Sequence, residues 1–147
     1  MGAMTSSAEG VEFKRIREHV VRFEPPDLCV VRFGETLTGE DVRAIYEVEL
    51  RLAEEHGEIY LMGDLARVRT MTAEARKWWA EVQTPPQILG IANFAPGFHL
   101  GVLAKLVMTL RRLAGHKSDE HLYGATDEAD ARAWIAKRRL ERAQKRG

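Results

Sequence analysis

The sequence predicts a single-domain α/β fold with a mostly parallel sheet covered by helices. Two observations predict it. From Thr38 onward, apolar runs of strand length alternate with segments of helical period, and glycine or proline stands at nearly every change. Strands that alternate with single helices imply right-handed crossovers and parallel pairing. A length of 147 residues suits one core.

The elements follow in order. "FKRIREHVVRF" (residues 13–23) alternates unevenly and stops at Pro25-Pro26, which predicts one edge strand. "DLCVVRFGE" from Asp27 is a tighter apolar run, expected to pair with the first strand as an antiparallel hairpin. "TGEDVRAIYEVELRLAEEHG" changes to helical spacing, with Thr38 as cap and Gly57 as stop. "EIYLMGDL" predicts a strand buried on both faces. Thr72 caps "TAEARKWWAEVQ", and Pro85-Pro86 forbids continuation. "QILGIANFA" is a further strand, and residues 97–115 hold an apolar helix expected to pack as a core cover, with a membrane-interface helix or the wall of an acyl-chain cavity as the alternatives. "DEHLYGAT" predicts the last strand. Thr126 is expected to cap a final helix with acids in its first turn and bases in its last. The predicted order is ββαβαβαβα, with the first strand antiparallel. Residues 1–11 are expected to be a disordered tail, partly an expression-vector remnant, residues 12–140 the domain, and residues 141–147 a basic fraying end.

Hydrophobic residues make up 45% and charged residues 30%, the balance of a soluble globular protein. Net charge is zero, which removes any whole-molecule attraction to nucleic acid or membrane. The charge is uneven: residues 1–100 carry 11 Lys and Arg against 16 Asp and Glu, and residues 101–147 carry 11 against 6. "KRRLERAQKR" lacks interleaved aromatics for base stacking, so no nucleic-acid partner is expected. Cys29, the only cysteine, excludes an intrachain disulfide and suits a reducing compartment. The start lacks a secretory apolar core, so cytoplasmic residence is expected. The apolar helix is too short and too charged to span a membrane.

"YLMGDLARVRTMTAEARKWW", "ILGIANF" and the terminal "ATDEADARAWIAKRR" together resemble the SpoIIAA-like family within the STAS and anti-anti-sigma fold group, over roughly residues 13–139. The resemblance implies a bacterial, non-enzymatic regulatory module that binds another protein. In the phosphorylated members, a partner kinase that is also the anti-sigma factor modifies a serine at the start of the helix after the third strand. Matching Asp64-Leu65 to that pattern puts Ala73 near the acceptor position, with Thr72 beside it, so modification implies Thr72 or Thr70. The fold group also resembles lipid-carrying CRAL-TRIO domains, which implies an alternative function as carrier or sensor of a lipid-like or small apolar ligand.

In open parallel sheets, the carboxyl ends of strands and the following helix starts form the ligand-prone edge. Those corners contribute Asp64, Arg67, Arg69, Thr70, Thr72, Asn93 and His99 as candidates. Thr72 with two arginines can receive a phosphate, or it serves only as a helix cap. Asp64 orients the arginines, or it is a turn residue bonded to nearby amides. Trp78 and Trp79 stand about 100° apart on their helix. Either one is exposed as an anchor for a partner, or a groove covers both. Glu49 falls between apolar positions of its helix. It lines a pocket with Tyr46 and grips a ligand's polar group, or it reaches the rim to pair with an arginine. The five histidines show no zinc-binding spacing, and no nucleophile elbow or phosphate loop is present, so neither metal, cofactor nor catalysis is expected. The expected function is regulatory binding to a protein partner, with a homodimer as the expected assembly.

Overall fold

The computed structural model describes residues 11–95, 111–112, 115 and 120–146. Eight strands appear among them: β1 (Val11–Ile16), β2 (His19–Glu24), β3 (Leu28–Arg32), β4 (Thr36–Leu37), β5 (Ile59–Asp64), β6 (Thr70–Met71), β7 (Ile88–Phe94) and β8 (Leu122–Ala125). Three helices accompany them: α1 (Gly39–His56), α2 (Ala73–Glu81) and α3 (Glu128–Arg146). The main sheet has six strands in the order β1-β2-β3-β5-β7-β8, with β4 and β6 forming a small parallel pair. β1, β2 and β3 pair antiparallel, and β3, β5, β7 and β8 pair parallel. The α/β class and the mostly parallel sheet therefore stand as expected.

The first segment departs from expectation. Residues 13–23 form two strands rather than one edge strand, because the chain turns back at Arg17-Glu18. Arg17 takes φ 53°, a left-handed conformation that a non-glycine residue adopts at a cost of about 1–2 kcal/mol. The turn is held from outside: Arg17 Nε and Nη2 donate to the two carboxylate oxygens of Asp41 at 2.8 and 2.6 Å. No glycine or asparagine announced this turn, since its support comes from a residue far along the chain.

α1 begins as its sequence requires. Thr38 Oγ1 accepts from Asp41 N at 3.1 Å, and Asp41 Oδ2 accepts from Thr38 N at 3.1 Å, a reciprocal capping box. Gly57, at φ 86°, takes the chain out of the helix. Asp41 also accepts from fully buried His19, whose Nε2 lies 3.1 Å from Oδ2. Since His19 Nδ1 accepts from Gly34 N at 2.8 Å, the proton of a neutral ring belongs on Nε2. One carboxylate thus joins the hairpin, the loop after β3 and the start of α1.

Strand alternation sends side chains to two cores. Val31, Ile59 and Leu61 meet Val42, Ile45, Val48 and Leu52 of α1 in one cluster. Val30, Tyr60, Met62, Ala92 and Phe94 meet Ala131 and Ile135 of α3 in the other. The cap of α3 is Asp127 rather than Thr126: Asp127 Oδ1 accepts from Asp130 N at 2.8 Å, while Thr126 N donates to Asp130 Oδ2 at 2.9 Å. The apolar helix expected at 97–115 lies outside the described residues except at Arg111 and Arg112, which are helical.

The basic last helix is tied to acids at the lower edge of the sheet. Arg132 forms a bidentate pair with Glu24 at 2.9 and 2.8 Å, Arg139 pairs with Asp27 at 2.6 Å, and Arg146 with Glu58 at 2.8 Å. Part of the basic end seen in sequence is therefore compensated by acids of the same molecule, and α3 stays helical to Arg146.

Candidate functional site

The sheet face that carries α1 and α2 also holds a cavity of about 410 Å³. α1 supplies Tyr46 and Glu49, α2 supplies Trp78 and Trp79, and the sheet supplies Phe33, Leu61, Ile91 and Asn93. Glu49 enters because it stands one helical turn beyond Tyr46 and Ile45, on the inward side of α1. The two tryptophans divide the wall between them. Trp78 meets Tyr46 edge to face with ring centroids 5.1 Å apart, and Trp79 meets Phe33 likewise at 5.8 Å. Both are half-buried and packed against the core, so each keeps part of its surface exposed.

Glu49 makes no ion pair or hydrogen bond among the described residues, which removes the expected rim arginine. Part of its surface remains accessible within the cavity wall. Removal from bulk water pushes its carboxyl up to about 8, the direction a desolvated acid must take. Two neighbours respond to it: burial raises both the Cys29 thiol and the Tyr46 phenol, and the Glu49 charge raises each further.

Three other polar side chains of the lining, Tyr46, Thr84 and Arg111, are hydrogen-bonded. Tyr46 OH donates to the Gln83 carbonyl at 3.2 Å. Arg111, 3% exposed, places Nη1 on the Trp79 and Val82 carbonyls at 2.8 and 3.0 Å, at the C-terminal end of α2. A cation there complements the helix dipole. His121 Nε2 lies 2.9 Å from Thr84 Oγ1 at the same side. Gln83, Thr84, Arg111 and His121 were not expected from sequence, because their roles depend on segments distant in the chain meeting at one end of α2.

The Asp64 corner is arranged differently from a phosphate cradle. Asp64 Oδ1 accepts from Ala66 N at 2.9 Å, the turn role, and forms no ion pair with Arg67 or Arg69 among the described residues. The Arg69 and Thr70 amides both donate to the Glu35 carbonyl, at 2.8 and 3.0 Å, and the Thr72 amide donates to Leu37 O at 3.0 Å. Thr72 Oγ1 caps α2 by accepting from Ala75 N at 3.2 Å. Arg67, Arg69 and Thr70 are exposed, whereas Thr72 and Asn93 are half-buried. The structure thus splits the candidates: Tyr46, Glu49, Trp78, Trp79 and Asn93 share the cavity, Asp64 to Thr72 stand on the rim segment, and His99 lies outside the described residues. Among the described residues no cluster of His, Cys, Asp or Glu could hold a metal, and no helix is long and apolar enough to cross a membrane.

Comparison with protein-family models returns no match, and none of the curated proteins compared with the chain matches it.

Proposed function

We propose that the chain is a non-enzymatic binding module whose cavity holds a small, largely apolar molecule with one polar group. One observation carries the reading: an apolar cavity of about 410 Å³ contains a carboxyl, Glu49, that has no ion-pair or hydrogen-bond partner among the described residues. Ligand sites typically occupy about 300–1000 Å³ and combine apolar walls with a few converging polar groups. A carboxyl left without a partner is expensive to bury unless something outside the chain uses it. The reading is tested by native mass spectrometry of protein purified from its own cells. A retained small molecule, lost when Ile91→Trp fills the cavity, is the expected result. Wild-type protein that carries nothing and takes up no apolar probe would refute it.

A second reading concerns the rim. Exposed Arg67, Arg69 and Thr70 stand beside α2, whose tryptophans wall the cavity, which supports a regulatory protein-binding module of the SpoIIAA-like kind. If phosphorylation controls docking, Thr70 is the better acceptor, since the Thr72 hydroxyl is engaged as a cap. Incubation with ATP and native-cell extract, followed by peptide mass spectrometry, tests it: an unmodified Thr70 removes the phospho-regulated version.

A further inference from the structure

The ligand reading leaves open which polar group Glu49 meets. Its neighbours narrow the choice. Tyr46, one turn before it on α1, touches Trp78, and Trp79 and Phe33 continue the aromatic wall. Aromatic faces carry negative potential, and a cation held over them and beside a carboxylate is attracted by both. The one buried guanidinium of the described lining, Arg111, is embedded at the end of α2 with Nη1 on two carbonyls, and Glu49 has no ion pair with it or with any other described residue.

Resting on the cavity reading, we infer that Glu49 and the aromatic wall of Tyr46, Trp78 and Trp79 form a recognition site for a lipophilic organic cation, an ammonium carried on an apolar or aromatic body. The Glu49 carboxylate supplies the counter-charge and the rings replace the water that the ammonium leaves behind. The apolar remainder of the cavity takes the hydrocarbon part. An anionic ligand would place like charge against Glu49 and against the ring faces. A neutral ligand would use the protonated acid only as a hydrogen-bond donor and would leave the aromatic potential unused.

Desolvation keeps the empty site protonated near neutrality, so cation entry must also ionise Glu49. With a carboxyl that titrates at about 8, this lowers apparent affinity at pH 7 by about tenfold. A charge-assisted contact and a desolvated cation–π contact together are worth about two to three powers of ten. A preference of about tenfold or more for a cation over a neutral molecule of the same shape therefore remains.

The test uses the full chain and three probes of equal body: phenylbutylammonium, phenylbutanol and phenylbutanoate. Binding is read by isothermal titration calorimetry and by fluorescence of Trp78 and Trp79 in a Trp134→Phe background, because Trp134 packs on the opposite face of the sheet. The expected order is ammonium over alcohol by about tenfold or more, with the carboxylate weakest. Glu49→Gln should abolish that preference and leave alcohol affinity within about threefold. The comparison of probes on wild-type protein does not depend on how the variant folds. Alcohol or carboxylate binding as tightly as ammonium overturns the cation assignment while leaving the cavity reading intact, as does an ammonium preference that survives in Glu49→Gln. Failure of all three probes to bind overturns both.

Discussion

Replacing Glu49 by glutamine should stabilise the empty protein, by an amount that depends on pH. A carboxyl that titrates near 4.5 when free and at about 8 in the folded chain holds its proton more tightly when folded. Between these values the unfolded state is the more ionised one, so stability falls as pH rises and the loss is complete only above the folded value. At about 1.4 kcal/mol per tenfold change in an equilibrium, the loss reaches about 3 kcal/mol at pH 7 and approaches 5 kcal/mol at pH 9. Glutamine has nearly the same shape and no charge, so Glu49→Gln recovers most of that loss at high pH and almost nothing at pH 4. Urea denaturation of both proteins from pH 4 to pH 9, followed by circular dichroism, measures it. Curves that run parallel over the whole range would show that Glu49 is solvated or paired, and the argument for a desolvated acid in the cavity would fall with them. A saturating ligand cation should reduce the difference, because it binds only the folded wild-type protein.

Asp41 should behave in the opposite sense. Its bonds to Arg17, above all, hold the carboxyl well below the usual range, with the capping box and His19 adding to the effect. Its contribution is full above the free value of about 3.8 and is lost as pH falls below it. Asp41→Ala should cost about 2–4 kcal/mol at pH 7, chiefly through the stranded His19 and the open cap. Its acid-unfolding curve should be flatter than the wild type's, and an unchanged midpoint in urea would refute this. Thr72→Ala should cost about 1 kcal/mol through loss of the α2 cap, and by loosening α2 it should weaken probe binding in the cavity; differential scanning calorimetry measures the first effect and titration the second. Burial raises the Cys29 thiol well above its ordinary value, so a thiol reagent should modify the folded protein only at the rate of unfolding, and rapid labelling without denaturant would contradict the described core.

Local grammar made much of the fold legible. Thr38, Gly57, Thr72 and the Pro85-Pro86 pair fix the ends of α1 and α2 through caps and breakers that act within a few residues, and apolar runs of fixed length named β3, β5 and β7. The hairpin at Arg17-Glu18 was not legible, because its left-handed residue is secured by Asp41, 24 positions away. The cap of α3 moved by one residue through a local competition: Asp130 bonds back to Thr126 and leaves Asp127 to accept at the helix start. At the site, Glu49 was visible as a charged residue at an apolar helical position, and Tyr46 came with it. What periodicity could not decide was whether an arginine would reach that carboxyl. Trp78 and Trp79 were legible as large side chains near the corner but not as opposite parts of one wall, since that depends on how α2 lies over Phe33 and against Tyr46.

The arginine ties of α3 reach back to Glu24, Asp27 and Glu58, and the helix supplies the only described helical cover for Leu28, Val30, Tyr60 and Met62. It is also the last described element to leave the ribosome. Until α3 has been made, that side of the parallel sheet lacks the cover that Ala131 and Ile135 supply. Stalled or prematurely terminated translation products should for that reason be sticky and short-lived, and a tag placed after Arg146 should be tolerated better than any deletion that removes Ile135.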